Sequence, residues 1–288
     1  MLAMKKLFIF LLMPLLVLSF TACEEEDETS IGTPSEEDLQ PIEDNTKAET
    51  GVMNAANYMN PYGLDEDLSG KKSVADNPTY SLDGNTLTID FTGVDGMGGT
   101  IIIEYNSDPL DTPFTLISAV AQLNDYMEGG TTYNGTLTFS MTVEDNGIQM
   151  TVATPDGEEL QIEEGNMTST WSGQRIMTWT AGINTPADPV DDIYEVTGSS
   201  EGLTSNQTNY TSDILQALVF SPNCDYIMSG EQQIKNYVGT EDETTLTLTY
   251  HVDANGNELD EPTCNPYFNL NFVSSNLELN LVLNLENM

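Results

Sequence analysis

Positive charge is the scarcest property of this chain. Its 288 residues include 7 Lys and Arg and 1 His against 47 Asp and Glu, which gives a formal net charge of −40 at pH 7. A negative field of this size repels nucleic acid and anionic lipid headgroups, so neither is expected as a partner. The same field attracts cations such as Ca²⁺, but a solvated acidic surface explains the composition without a specific site.

Histidine and cysteine are also rare, which excludes several kinds of site. The single histidine, His251, cannot build a zinc site of two or three histidines, and no serine or cysteine motif beside it indicates a catalytic triad. Three cysteines are too few for a cysteine-based metal site. We therefore expect a non-catalytic protein. A carboxylate-based, glycan-processing hydrolase is the alternative, because such an enzyme needs only two acids.

Long apolar runs are absent except at the N-terminus, where Leu7–Leu18 follows a short positive start. This run and the small residues after it form a secretory signal peptide over residues 1–22. The run is too short for a transmembrane helix, which needs ~20 apolar residues. Cys23, directly after Thr21 and Ala22, resembles the bacterial lipobox and is the predicted lipidation site. Ordinary cleavage nearby, with a free thiol, is the alternative.

An acidic segment follows the signal. Residues 23–50 begin with the cluster Glu24–Glu28 and hold few large apolar residues, so they are predicted to form a disordered tether. An acidic cluster just after the cysteine resembles the surface-export signal of lipoproteins from Bacteroidetes and implies display on the outer face of the outer membrane. A spacer that faces the periplasm is the alternative. Residues 51–79 are predicted to be a lead-in that contains a short helix over Val52–Met59.

Residues 80–288 show the period of two that is typical of strands. Leu87, Ile89 and Phe91 alternate with polar residues, and the pattern returns at residues 137–143 and 246–252. Residues 114–127 are predicted to be strand, with a helix as the alternative, and Leu277–Leu285 to be the last strand. Six Asp-Gly or Asn-Gly pairs supply hairpin turns: Asp83-Gly84, Asp95-Gly96, Asn134-Gly135, Asn146-Gly147, Asp156-Gly157 and Asn255-Gly256.

These patterns predict an all-β chain, an elongated antiparallel β-sandwich or meander behind the tether. A barrel or an elongated open sheet stays open as an alternative. Cys224 and Cys264 are left as an even pair outside the cytoplasm, and we predict a disulfide between them. Two free thiols are the alternative.

The order of several segments is distinctive. Arg175–Gly182 is followed by Asp191–Gly198, with Leu87–Gly93 and Gly98–Tyr105 upstream. This order resembles a family of surface lipoproteins from Bacteroidetes whose activity is undefined. The resemblance runs from about residue 76 to residue 272 and implies an elongated β architecture. It carries over no catalytic residues.

Both tryptophans and the one arginine of the chain lie close together in sequence. Trp171, Arg175 and Trp179 differ by even numbers, so on one continuous strand they would share a face. Three acids follow them: Asp188, Asp191 and Asp192. Exposed tryptophans can stack on sugar rings while such acids hold Ca²⁺, as in a calcium-dependent carbohydrate-binding module. The favoured alternative is a core tryptophan pair with the arginine paired to an acid.

The sequence therefore predicts a lipid-anchored protein of the outer membrane that faces outward and has a binding or structural role. Its expected partners are the membrane, through the N-terminal lipid, and glycans or other envelope proteins. No cofactor is expected, although Ca²⁺ is possible at the three acids named above.

Overall fold

The computed structural model describes residues 34–59, 78–110, 117–144, 147–182, 191–221, 223–224 and 226–284. Within them, one helix precedes 14 strands, and every strand pairing is antiparallel. The predicted antiparallel all-β fold is confirmed. Cys23, the predicted signal peptide and the first part of the predicted tether lie outside the described residues.

The helix is α1 (Glu36–Met59). The strands are β1 (Thr79–Asp83), β2 (Thr86–Asp90), β3 (Met97–Tyr105), β4 (Ser118–Glu128), β5 (Thr131–Glu144), β6 (Gly147–Ala153), β7 (Leu160–Glu164), β8 (Met167–Ala181), β9 (Ile193–Leu203), β10 (Asn209–Phe220), β11 (Ser229–Asn236), β12 (Thr244–Tyr250), β13 (Tyr267–Val273) and β14 (Glu278–Asn284). They form a single meander in which each strand pairs with the next along the chain, with one exception at β6 and β7.

In that exception, β6 and β7 lie end to end in one position of the sheet. Both pair with β5 on one side and with β8 on the other. The predicted turn at Asn134-Gly135 is wrong, because both residues lie inside β5. Gly135 has a φ of +144°, and a Cβ there would lie 3.0 Å from the backbone oxygen of Glu159, just before β7. Gly135 therefore allows the backbones of β5 and of Glu159 to lie close together, and it is not part of a hairpin turn.

One face of the sheet is buried from β2 to β13 and is half-buried at the two edge strands, β1 and β14. The sheet has 13 strand positions, and the 12 intervals of about 4.8 Å between them make it about 58 Å wide. The 24 residues of α1 measure only about 36 Å. The helix lies across the strands from β4 to β11. The helix does not reach β12 and β13, but the inner side chains of these strands are buried in the same core. Leu246, Leu270 and Phe272 are examples. The sheet therefore curves around the core and covers part of its own inner face.

The helix begins earlier than predicted. Residues 36–50, expected to belong to the disordered tether, form more than half of α1. Ser35 caps the helix, because the amide of Asp38 donates to Ser35 Oγ (3.2 Å) and the amide of Ser35 donates to Asp38 Oδ2 (2.9 Å). The polar composition that indicated disorder belongs instead to a helix whose side chains find partners in the sheet. In the described part of the chain, no helix has both the length and the apolar character to cross a membrane.

Gly51 is a point where α1 closely approaches the sheet. A Cβ at this position would lie 2.2 Å from Cε1 of Tyr133, whose hydroxyl donates to the backbone oxygen of Lys47 at 3.1 Å. We expect Gly51→Ala to destabilise the protein by about 1–3 kcal/mol, because overpacking outweighs the gain of at most about 1 kcal/mol in helix propensity. Urea denaturation of the variant measures this loss.

Asn57→Ala is the matched control for Gly51→Ala. Asn57 is half-buried on the same helix, so its replacement tests helix propensity without the contact to Tyr133. We expect stability equal to or slightly above that of the wild type. If Gly51→Ala were as stable as this control, α1 would not rest on Tyr133.

The structure contains the predicted disulfide. The Sγ atoms of Cys224 and Cys264 are 2.09 Å apart, and the bond joins the connection between β10 and β11 to the one between β12 and β13. The two cysteines are 40 residues apart. Closing a loop of this length stabilises a fold mainly by restricting the unfolded chain.

We expect the double variant Cys224→Ser/Cys264→Ser to lose about 2–4 kcal/mol of stability. Urea denaturation of the oxidised wild type, the reduced wild type and the double variant measures the loss. Reductant should destabilise the wild type and leave the double variant unchanged. Two titratable thiols in the unreduced, unfolded wild type would contradict the disulfide.

Candidate functional site

Trp171, Arg175 and Trp179 share the inner face of β8, as their even spacing predicted. They are 0%, 1% and 8% exposed. The interpretation as exposed sugar-stacking residues is wrong, because α1 and the curved sheet cover this face. The favoured alternative, a core tryptophan pair with the arginine bound to an acid, is confirmed.

Arg175 is the centre of the contact between helix and sheet. Its Nε donates to a carboxylate oxygen of Glu49 on α1 at 2.8 Å, and its Nη2 donates to the second oxygen of the same carboxylate. Nη2 also reaches Ser200 Oγ (3.0 Å), and Nη1 reaches the backbone oxygen of Gln174 (2.9 Å). The guanidinium carbon lies 5.9 Å from the ring centroid of Trp171. Arg175 and Glu49 thus neutralise each other's charge through two parallel hydrogen bonds, although both side chains are largely shielded from water.

A second buried carboxylate holds the helix to the turn between β9 and β10. Asp44 accepts hydrogen bonds from the amide (2.7 Å) and the hydroxyl (3.1 Å) of Ser205, and from Gln40 on its own helix (3.3 Å). Burial raises the pKa of Asp44, although these hydrogen bonds and the charge of Lys47 act in the opposite direction. The carboxylate is thus held by directed donors that offset part of its loss of water.

Further polar contacts lie along the helix. Lys47 contacts Glu164 on β7 and lies 2.6 Å from Glu43. Burial acts to lower the pKa of Lys47, but the hydrogen bonds to the two glutamates outweigh it and the pKa is raised. Near the C-terminal end of the helix, Asn54 donates to a carboxylate oxygen of Glu128 at 2.7 Å. Tyr126 donates to the same oxygen at 2.7 Å.

The N-terminal end of α1 lies against β11. Asn236, the last residue of that strand, donates from Nδ2 to the backbone oxygen of Glu37 at 3.4 Å. The pKa of Tyr237 is raised, first by burial and then by its hydrogen bond to Glu37. We call the sheet residues that hold α1 the helix cradle; they are Glu128, Tyr133, Glu164, Arg175, Ser200, Ser205 and Asn236.

The predicted calcium ligands are only partly described. Asp188 lies outside the described residues, and Asp191 is exposed. Asp192 is 4% exposed and accepts hydrogen bonds from Trp179 Nε1 (3.1 Å) and the Tyr194 hydroxyl (3.2 Å). Burial and then the charge of Asp192 raise the pKa of Tyr194. Asp192 thus orients a pair of stacked aromatic rings whose centroids are 5.9 Å apart.

No group of three or more His, Cys, Asp or Glu side chains is arranged for a metal ion in the part of the chain that the structure describes. Calcium binding by Asp188, Asp191 and Asp192 stays a prediction. His251, at the end of β12, contacts the backbone oxygen of Glu261 through Nε2 and so connects two parts of the loop that carries Cys264.

Sequence reasoning missed the helix cradle and its partners on α1. The acid that pairs with Arg175 is 126 residues away in the chain, and 47 acids were available. Three of the apolar residues of α1 that face the core are alanines, Ala48, Ala55 and Ala56, and they add little to a periodic signal. Comparison with models of known families, with curated proteins and with solved structures found no match for this chain.

Proposed function

We propose that this protein is a lipid-anchored lipoprotein of the cell envelope, held in the outer membrane through Cys23 and displayed outward, with a non-catalytic binding or structural role. The anchor rests on the secretory signal of residues 1–22 and on the lipobox-like residues before Cys23. The observation that carries the proposal is the position of α1. This helix begins 13 residues after Cys23, inside the predicted tether, and is held in the sheet by buried charges, so the β domain is joined to its anchor through its own core.

The side chains best suited to chemistry have structural partners. Arg175 binds Glu49, Asp192 holds Trp179 and Tyr194, and His251 contacts a backbone oxygen. This supports a binding or structural role over catalysis. Glycans and other envelope proteins are the expected partners of a protein at this location, and both are part of the proposal.

Metabolic labelling with an alkyne fatty acid tests the anchor. Cells that make the wild-type chain should yield labelled protein that stays with membranes in high salt, because several acyl chains bind far more strongly than one. Cys23→Ser should be unlabelled, and the chain should be either processing-blocked, with its signal peptide retained, or soluble.

Ser30→Ala is the matched control, since it changes the same segment and keeps the cysteine. It should label like the wild type. An unlabelled wild-type protein would overturn the proposed anchor, whatever the behaviour of the two variants.

A further inference from the structure

The two ends of the sheet differ. Because neighbouring strands are antiparallel, alternate connections lie at the same end. One end, which we call the short-turn end, carries the six short connections at residues 91–96, 129–130, 165–166, 204–208, 237–243 and 274–277. The opposite end, which we call the long-loop end, carries the 16-residue connection between β12 and β13 at residues 251–266. It also carries the disulfide between Cys224 and Cys264.

The chain enters the β domain at the short-turn end. Ser35 and Asp38 cap the start of α1, and Glu37 accepts a hydrogen bond from Asn236, where β11 reaches that end. Two turns farther along the helix, Asp44 accepts from the amide of Ser205 inside the 204–208 connection. These bonds fix where the segment that leads back to Cys23 leaves the domain.

The length of that segment limits how the domain can sit on a membrane. Ser35 is the twelfth residue after Cys23, and twelve residues reach at most about 43 Å when fully extended. A flexible chain of this length spans only about 20 Å on average. Strand β11, whose last residue lies beside the start of α1, has 8 residues and is about 26 Å long. To bring the long-loop end to the bilayer, the segment would have to run along β11 and past the connection beyond it, which is more than the average span of a flexible chain of this length.

Charge does not favour the opposite orientation. The long-loop end carries acids such as Asp108, Asp253 and Asp260. The described lysines, Lys47 and Lys235, lie towards the short-turn end. The short-turn end is itself acidic, with Glu241, Asp242 and Glu243 in one turn. Neither end is therefore attracted to anionic lipid, and the attachment point of the chain decides which end faces the membrane.

We propose that the short-turn end is the surface that faces the lipid bilayer, and that the disulfide-linked long-loop end points away from it. This proposal rests on the proposed lipid anchor at Cys23. In this orientation, the long-loop end is the part of the domain most accessible to a partner outside the cell. Because the tether sets the orientation, it is the same over neutral and over anionic bilayers.

Spin labels on the full-length, lipidated protein test this orientation. The protein is bound to vesicles that contain a fraction of lipid with a Ni²⁺-chelating headgroup, and the Ni²⁺ reduces the nitroxide signal of nearby labels. Two matched pairs of exposed positions are used. In the first pair, each variant replaces an acid: Glu241→Cys at the short-turn end and Asp83→Cys at the long-loop end. In the second pair, each variant replaces a neutral residue: Asn166→Cys at the short-turn end and Leu110→Cys at the long-loop end.

We expect a greater Ni²⁺-dependent loss of signal at residues 241 and 166 than at residues 83 and 110, in phosphatidylcholine vesicles with and without anionic lipid. Thermal melts of the four labelled proteins confirm that each is folded. Equal or reversed losses would overturn the orientation.

Flotation of the same vesicles separates the two proposals. Protein that floats but shows equal or reversed losses retains the anchor and loses the orientation. Wild-type protein that does not float with vesicles overturns the anchor, and the orientation fails with it.

Discussion

A chain that lacks α1 is expected to lose the cooperative unfolding of the β domain. The helix buries four large apolar side chains in the common core: Ile42, Val52, Met53 and Met59. At about 1.5–3 kcal/mol each, they supply about 6–12 kcal/mol, which is similar to the whole net stability of a typical domain, about 5–15 kcal/mol. Deletion also leaves Arg175 buried without its carboxylate, which adds a further cost.

Two fragments measure this effect. The fragment 34–288 keeps the complete helix and should melt in one cooperative transition. The fragment 60–288 removes only α1 and should show no such transition and should bind a dye for exposed apolar surface. Cooperative melting of both fragments at the same temperature would show that α1 is not part of the core.

The same argument decides how partners should be sought. A fragment that begins at residue 50 retains the sheet but loses Asp44, Lys47 and Glu49, which bind the helix cradle. Such a fragment would expose core surface and bind partners non-specifically. Glycan arrays and pull-down experiments should therefore use a chain that begins at Pro34 or earlier.

The variant Arg175→Met is expected to destabilise the protein by about 3–5 kcal/mol. Methionine fills similar space but cannot donate to Glu49, whose side chain is only 13% exposed. The carboxylate would stay buried without its cation, and Ser200 would lose a donor as well. Urea denaturation at pH 7 measures the change in free energy of unfolding.

A less buried pair on the same helix provides the control. Glu43→Gln removes one partner of Lys47, but Glu43 is more exposed than Glu49 and Glu164 stays in place, so we expect a loss below about 1 kcal/mol. The double variant Glu49→Leu/Arg175→Met removes both buried charges and should be more stable than Arg175→Met alone. Equal losses for Arg175→Met and Glu43→Gln would contradict the central position of this ion pair.

The strands could be predicted from the sequence because each carries its own signal. Leu246, Leu248 and Tyr250 alternate with threonines and are buried, as one inner face of β12 requires. The pairs Asp83-Gly84 and Asp95-Gly96 form turns, because a glycine with positive φ fits a short connection. Asn134-Gly135 has the same local signal. The glycine there is required by the backbone of Glu159, which lies in another part of the chain, so the local pattern gave the wrong prediction.

The helix could not be predicted from the sequence, because it too depends on residues that are distant along the chain. Residues 36–50 are polar, and isolated polar sequence indicates a solvated segment. Their helix is stabilised by partners in the sheet, among them Ser205 for Asp44 and Arg175 for Glu49, which lie more than 120 residues farther along the chain. The burial of Arg175 could be proposed from its two tryptophan neighbours, but the identity of the acid could not.

Native-state hydrogen exchange tests most directly whether α1 belongs to the core. If the helix cradle holds α1 as described, amides of residues 42–56 should exchange as slowly as those of β8 (Met167–Ala181), since both would open only when the whole domain unfolds. The variant Arg175→Met should speed exchange of both segments together. Rapid exchange of residues 42–56 beside a protected β8 in the wild type would show that the helix detaches from the sheet, and it would contradict this account.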